Sequence, residues 1–353
     1  MKSAMQERPG CGVPNAPHVA SRRKPLSRDE YVSGILRGDR TVLARAVTLI
    51  ESGLPTDRGL AEQIVEDCLP HSGNSIRVGI TGVPGAGKSS LIEALGKYLI
   101  KELNQKIAVL AIDPSSQLSG GSILGDKTRM TTLAASEMAF IRPSPSRGLA
   151  GGVAQRTREA MLLCEAAGYG NILVETVGVG QSETAVHEMV DFFLLITLAG
   201  AGDDLQGIKR GVMELADLVA VNKADGSNIE AAERARAEAQ NALHYFPDAE
   251  TGWTPRAMTC SAFTGRGIRE LWNCVLEYAS TTRENGWFGH VRREQQKRWM
   301  REMIEQALRQ RFDSHPGVRH SLKAFEHDVA AGRTTSFRAA RTLLEMYSRN
   351  PVD

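Results

Sequence analysis

The stretch Ile76-Arg77-Val78-Gly79-Ile80-Thr81-Gly82-Val83-Pro84-Gly85-Ala86-Gly87-Lys88-Ser89 decides how the rest of the chain is read. Its first six residues form a short β-branched run that predicts a strand. The next eight match G-x-x-x-x-G-K-[ST], and a helical pattern follows over about 88–102, so strand, glycine-rich turn and helix stand in the order the motif requires. Glycines let the backbone curl until several N–H groups point inward at phosphate oxygens. The helix that starts there adds a dipole that favours an anion. Gly82, Val83, Pro84, Gly85, Ala86 and Gly87 form the expected cradle. Lys88 is expected to reach the β- and γ-phosphates, and Ser89, followed by Ser90, to place its hydroxyl on Mg²⁺. The bland alternative is a βα turn with no ligand, and the agreement of all three elements weighs against it.

Outward from this stretch the chain alternates. Strand-like runs recur at Ile107–Ile112, Ala139–Ile141, Ile172–Val174, Phe192–Thr197, Leu218–Val221 and Ala257–Thr259. Helical patterns over about 128–137, 153–167, 207–216, 229–245 and 267–281 separate most of them. This alternation predicts an α/β P-loop NTPase fold, a mostly parallel sheet flanked by helices, with helical extensions at both ends. The N-terminal extension begins at Ser27-Arg28-Asp29-Glu30, a capping box, and continues through helices over about 40–51 and 58–69. After residue 287 the strand signal stops, and helices are expected over about 287–312, 318–331 and 335–348. The expected division is a disordered tail at 1–25, a helical segment at 26–72, the nucleotide-binding domain at 73–284 and a helical arm at 285–353. The arm carries Trp299, Met300, Met303, Ile304, Leu308 and Phe312.

Asn222-Lys223-Ala224-Asp225 follows the strand Leu218–Val221. A carboxylate placed there accepts two hydrogen bonds from the N1–H and 2-amino group of guanine. Adenine offers neither donor, and the acceptor would then be left unpaired in a closed site. Four residues alone could be a helix N-cap; after a strand and downstream of a phosphate loop they predict guanine selectivity. Ser261-Ala262, after the last strand, is expected to add a backbone N–H near the guanine carbonyl. Glu175-Thr176-Val177-Gly178 follows the buried run Ile172–Val174 and looks like a D-x-x-G element with Glu for Asp. Glu175 is expected to bind Mg²⁺ and the Gly178 N–H to meet the γ-phosphate; a strand-end carboxylate and a turn glycine are the plain reading. Val179 stands after Gly178, where Ras-type enzymes place a water-orienting glutamine. Gln181 lies two residues further on, so no glutamine-based mechanism is assigned and slow intrinsic hydrolysis is expected.

The long polar segment 113–127 suggests a mobile switch beside the phosphates. Asp113 and Asp126 are candidates for the Mg²⁺ shell or the attacking water, and Arg129 for phosphate, against solvated loop charges. Gly200-Ala201-Gly202-Asp203-Asp204-Leu205-Gln206-Gly207-Ile208-Lys209 is a second loop of this kind, or a cap on the helix after it.

Composition narrows the class. The 353 residues are 42% hydrophobic, enough for one large core. The net charge of +2 is no nucleic-acid footprint, and the short clusters Arg22-Arg23-Lys24 and Arg292-Arg293 read as solvated faces. Five cysteines without a C-x-x-C pair argue against a disulfide framework and for a reducing compartment. No stretch approaches the roughly 20 apolar residues of a membrane span. A cytoplasmic protein is expected, or a mitochondrial-matrix one if residues 1–25 are a transit peptide.

Three longer strings, Gly121 to Met130, Val174 to Glu183 and Gly202 to Lys209, resemble the methylmalonyl-CoA mutase-associated GTPases of the MeaB/ArgK type, within the SIMIBI class. The resemblance runs from about residue 30 into the helical tail. It departs little, with Ser90 where Thr is common. It implies a GTP hydrolase binding GTP/GDP and Mg²⁺, with Asp113, Asp126 and Glu175 matching the metal and switch carboxylates. It also implies a homodimer formed partly by the C-terminal arm, acting as a chaperone for an adenosylcobalamin-dependent acyl-CoA mutase with an adenosyltransferase as a further partner. Switch II maps onto 175–183, including Gln181. A mutase-responsive switch maps onto about 200–211, with Asp203, Asp204, Gln206 and Lys209. Two rival readings stand beside it: a metal-insertion GTPase of the same group, which would favour a Cys/His cluster near the switches, and a transport-associated kinase or ATPase, against which Asp225 argues.

Overall fold

A computed structural model describes residues 26–52, 54–113, 130–145, 150–176, 182–200, 210–246 and 250–349. Seven strands form one sheet: β1 (Ile76–Gly82), β2 (Ile107–Asp113), β3 (Ala139–Pro145), β4 (Asn171–Thr176), β5 (Phe192–Leu198), β6 (Leu218–Asn222) and β7 (Arg256–Thr259). Their order is β3-β2-β4-β1-β5-β6-β7, and every pairing is parallel. The phosphate-loop strand β1 is central, between β4 and β5. β3 runs beyond the expected Ile141 because β2 pairs with it along its whole length, from Ile107↔Ala139 to Asp113↔Pro145.

The period-2 alternation of the strands sorts two cores. Val78, Ile80, Val109, Leu173, Phe192, Leu194 and Ile196 pack on one face with α4 (Lys88–Lys101) and the later helix Ile268–Glu284. Ala108, Leu110, Ile112, Ile172, Val174 and Phe193 face the other way. There they meet α1 (Arg28–Leu36), α2 (Arg40–Glu51), α3 (Pro55–Cys68) and, after the short α5 (Thr131–Ala135), α6 (Ala150–Ala166). The N-terminal helices therefore share the core of the sheet: Ile35, Leu43, Val47 and Ile64 are fully buried in the same cluster as Leu110 and Val174. The capping box opens α1 as its sequence predicts, with the Ser27 N–H donating to the Glu30 carboxylate at 2.7 Å.

α7 (Ser182–His187) lies over β1 and is admitted there by Gly79; a Cβ at that position would come within 2.8 to 3.0 Å of Phe193, Val186 and Val190. α8 (Arg210–Glu214) is shorter than the expected 207–216, whose first residues lie outside the described ones. α9 (Ile229–Leu243) and α10 (Ile268–Glu284) complete the flanks, and α11 (Trp287–Ser314), α12 (Pro316–Ala330) and α13 (Ser336–Arg349) make the arm.

The root of α11 is tied to the N-terminal edge of the sheet. Arg292 donates to both Asp191 carboxylate oxygens, at 2.8 and 2.7 Å, and to the carbonyls of Gly73 and Ser75. Gln295 donates to the Val190 carbonyl at 2.8 Å, and Arg298 to Glu188 at 2.7 Å. Beyond this root, Met300, Met303, Ile304 and Leu308 are exposed, while Trp299 packs against the N-terminal helical layer.

Candidate nucleotide site

Parallel α/β sheets place ligands beyond the carboxyl ends of their strands. Here those ends bring Gly82, Asp113, Glu175, Asn222 and Thr259 to one edge, with Ile80 in register with Glu175, Gly82 with Ile196, and Leu198 with Asn222.

The loop after β1 depends on glycine at two places. Gly82 has φ 151°, and a Cβ there would stand 2.2 Å from the Ile196 carbonyl oxygen. Gly87, at φ 87°, is the residue before α4, and a Cβ would meet the Asn222 amide at 2.7 Å. Both lie in the left-handed region that disfavours other residues. Ala86 is buried, and its N–H closes the turn on the Val83 carbonyl at 3.2 Å. Lys88 folds back over this loop, its ammonium donating to the carbonyls of Gly82 at 2.8 Å and Val83 at 3.3 Å. Burial pushes the Lys88 ammonium below its ordinary range, and the nearby carboxylates of Glu175 and Glu183 pull it back up. Lys88 is thus a half-buried cation whose ammonium rests on two backbone carbonyls of the loop.

Ser89, on the first turn of α4, donates its hydroxyl to Glu175 at 3.0 Å. Glu175 stands inside β4, one residue short of its end, where sequence placed it after the strand; it is 3% exposed. A hydroxyl and a carboxylate beside a phosphate loop are hard oxygen donors, and this set fits Mg²⁺ rather than a soft metal. Next to it, the Thr176 hydroxyl donates to that of Thr81 at 2.9 Å, pinning β4 to β1 at the level of the loop. Asp113 is the last residue of β2, and nothing of its side chain is described. Asp126, Arg129, Gly178, Gln181, Asp203, Asp204, Gln206 and Lys209 lie outside the described residues.

The Asn222 to Asp225 turn is joined to the phosphate loop through one side chain. Asn222, 1% exposed, donates its amide to the Ala86 carbonyl at 2.8 Å and accepts the Ala262 N–H at 3.1 Å and the Cys260 thiol at 3.8 Å. That thiol stays protonated, burial pushing it up to about 12. Lys223 takes the left-handed conformation at φ 60°, which costs a residue other than glycine on the order of 1–2 kcal/mol. The strain is held by Asn228 donating to the Lys223 carbonyl at 2.8 Å and by Ala224 N–H bonding Cys260 O at 2.9 Å. It leaves Lys223 exposed at the cleft and Asp225 half-buried beside it.

Asp225 accepts the Ser261 hydroxyl at 2.5 Å. The sequence leads one to expect a backbone N–H of Ser261-Ala262 near the guanine carbonyl. In the structure the Ser261 N–H is engaged by the Arg266 carbonyl at 2.9 Å and the Ala262 N–H by Asn222, because the loop after β7 closes on itself. What the sequence missed is the Ser261 side chain as the group that orients the carboxylate; a buried serine after a strand carries no local signal of its distant partner. Glu183, 3% exposed on α7 and acting on Lys88, likewise carries no sequence signal of that contact. An open cleft of about 720 Å³ runs from Gly87 and Ser90 past Asn222, Lys223 and Asp225 to Ala262 and Phe263.

A wholly parallel sheet, a phosphate cradle after its central strand and an Asn-Lys-Ala-Asp turn tied to that cradle define a P-loop GTPase. Residues 43–317 match the family described as methylmalonyl Co-A mutase-associated GTPase MeaB, and the chain belongs to that family. Its relatives agree. It is 50% identical over 318 residues to a probable GTPase of Mycobacterium tuberculosis, covering 90% of this chain and 94% of the relative. It is 47% identical over 311 residues to the GTPase ArgK of Escherichia coli, covering 86% and 93%. Against the Mus musculus protein named methylmalonic aciduria type A homolog, mitochondrial, identity is 43% over 329 residues, covering 90% and 79%. A solved structure titled LAO/AO transport system kinase superposes with TM-score 0.73 at 38% identity, covering 91% of this chain and 98% of that one. Among the described residues no helix is long and apolar enough to cross a membrane.

Proposed function

We propose that this chain is a Mg²⁺-dependent GTP hydrolase that serves an adenosylcobalamin-dependent acyl-CoA mutase as a chaperone, gating cofactor loading and protecting or reactivating the mutase. The observation that carries the nucleotide half is the Asn222 side chain, which joins the phosphate loop and the Asp225 turn into one receptor for the two ends of a nucleotide. The mutase half rests on the family to which the chain belongs.

In this reading the backbone N–H groups of the loop and the N-terminus of α4 receive the phosphates. Lys88 exchanges the Gly82 and Val83 carbonyls for β- and γ-phosphate oxygens. That exchange replaces two neutral acceptors by a charged one, and it favours the transition state as charge spreads over the transferred group. Ser89 and Glu175 would hold Mg²⁺, whose chemistry is to neutralise charge shared between the β- and γ-phosphates. Asp113, Asp126, Arg129 and the Gly178 N–H are assigned to the metal shell and γ-phosphate on sequence grounds. Asp225, oriented by Ser261, reads the guanine edge. With Val179 after Gly178, no glutamine orients the water, so basal turnover is slow and a partner that orders the segments around 113–129, 175–183 and 200–211 accelerates it. Gln181, Asp203, Asp204, Gln206 and Lys209 are the residues assigned to that response.

The arm from about residue 285 is assigned to a homodimer, and its exposed Met300, Met303, Ile304 and Leu308 supply the apolar stripe. An adenosyltransferase is a further partner, and the cytoplasm is the assigned compartment. The test is steady-state phosphate release from GTP, with and without candidate acyl-CoA mutases, for the wild type and Lys88→Ala. Slow basal release, acceleration by one mutase and loss of both in the variant are expected. If no mutase changes the rate or binds in either nucleotide state, the chaperone reading fails while the GTPase reading stands.

A further inference from the structure

The sheet parts at the nucleotide edge. β1 and β4 pair in register as far as Ile80↔Glu175. Beyond that point β1 stays with β5, up to Gly82↔Ile196, while β4 stays with β2, up to Ile112↔Thr176. One step further in the same register stand Thr81 and Thr176, both buried. There the Thr176 hydroxyl donates to the Thr81 hydroxyl at 2.9 Å, with the Ile80 carbonyl 3.5 Å away. A side-chain bond thus takes over where the paired register ends.

The two threonines adjoin the two halves of the phosphate and metal site. Glu175, one residue before Thr176, accepts the Ser89 hydroxyl at 3.0 Å. Gly82, one residue after Thr81, accepts the Lys88 ammonium at 2.8 Å. Successive side chains of a strand point to opposite faces, so Thr176 points away from Glu175 and can act on it only by fixing where the β4 backbone lies. Two hydroxyls at 2.9 Å stand closer than two methyl groups can, whose contact optimum is about 3.5–4.0 Å. An apolar pair of the same shape would therefore push β4 off β1 by up to about 1 Å at the residue next to Glu175. The two hard divalent cations differ in how they meet such a change. Mg²⁺ demands near-ideal octahedral oxygens at about 2.0–2.1 Å, whereas Ca²⁺ accepts a looser shell at about 2.3–2.6 Å.

We propose that the Thr81–Thr176 hydroxyl pair is a positioning element that holds Ser89 and Glu175 at the spacing Mg²⁺ requires, and so sets the preference of the site for Mg²⁺ over Ca²⁺. The proposal rests on the Mg²⁺ reading of Ser89 and Glu175. Groups standing behind metal ligands change metal affinity by about 10–100-fold when removed, and a pair that acts through the backbone belongs at the low end.

The experiment is equilibrium binding of a fluorescent non-hydrolysable GTP analogue to the full-length protein over a range of free Mg²⁺ and, separately, of free Ca²⁺. The double variant Thr81→Val/Thr176→Val removes both polar partners at once, so no buried hydroxyl is stranded and the thermal midpoint should stay close to wild type. It should raise the half-saturating Mg²⁺ concentration by about tenfold and leave that for Ca²⁺ within about twofold. Thr81→Ser/Thr176→Ser keeps both hydroxyls and should match wild type with either metal. Thr81→Val alone, in which the Thr176 hydroxyl still has the Ile80 carbonyl as acceptor, should lose preference for Mg²⁺ in the same direction and serves if the double variant does not fold. An unchanged Mg²⁺ requirement in the valine variants, or an equal rise for Mg²⁺ and Ca²⁺, overturns the positioning role and leaves the pair as a strand-to-strand bond. If instead Glu175→Ala leaves the Mg²⁺ dependence of the otherwise wild-type protein intact, it is the metal reading of Glu175 that fails, so the two failures are told apart.

Discussion

Replacing Ser261 by alanine tests whether the guanine-reading carboxylate is positioned or merely present. The Ser261 hydroxyl is fully buried, donates to Asp225 at 2.5 Å and accepts the Thr264 N–H at 3.1 Å. A hydrogen bond to a charged group contributes about 1.5–3 kcal/mol in mutational series. Asp225 is half-buried, so water competes for its oxygens and the low end applies. Ser261→Ala should therefore weaken GDP binding by about 1.5 kcal/mol, roughly tenfold. Asp225→Ala should weaken it more, since both acceptors for the guanine edge go. The informative quantity is the double variant. Without the carboxylate, the Ser261 hydroxyl has nothing to orient, and its removal should cost only what the Thr264 contact supplies. The cycle should then show a coupling on the order of 1 kcal/mol. Titration with a fluorescent GDP analogue measures all four proteins, and thermal midpoints without nucleotide separate loss of fold from loss of binding. Strict additivity of the two substitutions would refute the positioning role and leave Ser261 as a loop-closing residue.

Two further outcomes follow from charges away from the site. Arg292→Ala removes the guanidinium from Asp191, which keeps the Arg77 N–H, and from the nearby Glu165, which keeps the Arg77 side chain, the Gly73 N–H and the Ser75 hydroxyl; breaking so buried a network should cost about 3–5 kcal/mol in urea unfolding. A loss below about 1 kcal/mol would show that the arm root is not held by this pair. Asp217 is raised to about 7 by burial, against the favourable N–H of Phe193 at 2.8 Å. Its folded pKa lies above the unfolded value of about 4, so the folded state binds the extra proton and stability is lost as pH rises through that window. Asp217→Asn should flatten this fall and stabilise the protein by roughly 2 kcal/mol at pH 8, read from denaturation midpoints at pH 5, 6, 7 and 8.

The fold was legible because its decisive signals are local. A β-branched run and glycines at fixed offsets stand within the fourteen residues from Ile76 to Ser89, a helical period follows directly, and each of the other six strand runs falls within an observed strand. Boundaries slipped where pairing outvotes propensity: Arg142 to Pro145 continue β3 only because β2 offers partners. Long-range contacts left no such trace. Arg292 read as a solvated charge beside Arg293, yet its partners Asp191 and Ser75 are distant in sequence, and burial is the product of all three meeting. The same holds at the site. Asn222 was legible as part of a guanine turn, but its bond to Ala86, which makes the phosphate loop and the base cleft one object, spans 136 residues and exists only in the folded sheet.

That connectivity continues beyond the site through α7. α7 is six residues long, about 9 Å of helix. Near its start Glu183 acts on the Lys88 ammonium. Just past its end Glu188, Val190 and Asp191 hold Arg298, Gln295 and Arg292 of the arm. Gly79 lets Val186 sit directly on β1, so α7 cannot shift without sliding over the strand that leads to the phosphate loop. A ligand shifts a conformational equilibrium only by binding its two states differently. At Lys88 that difference is explicit: the ammonium bonds two carbonyls in this structure and would face phosphate oxygens in the nucleotide complex proposed above. The field that Glu183 experiences changes with that exchange, and the helix bearing Glu183 is continuous with the turn that anchors the arm. One short helix thus stands between a carboxylate that acts on Lys88 and the turn that holds the arm.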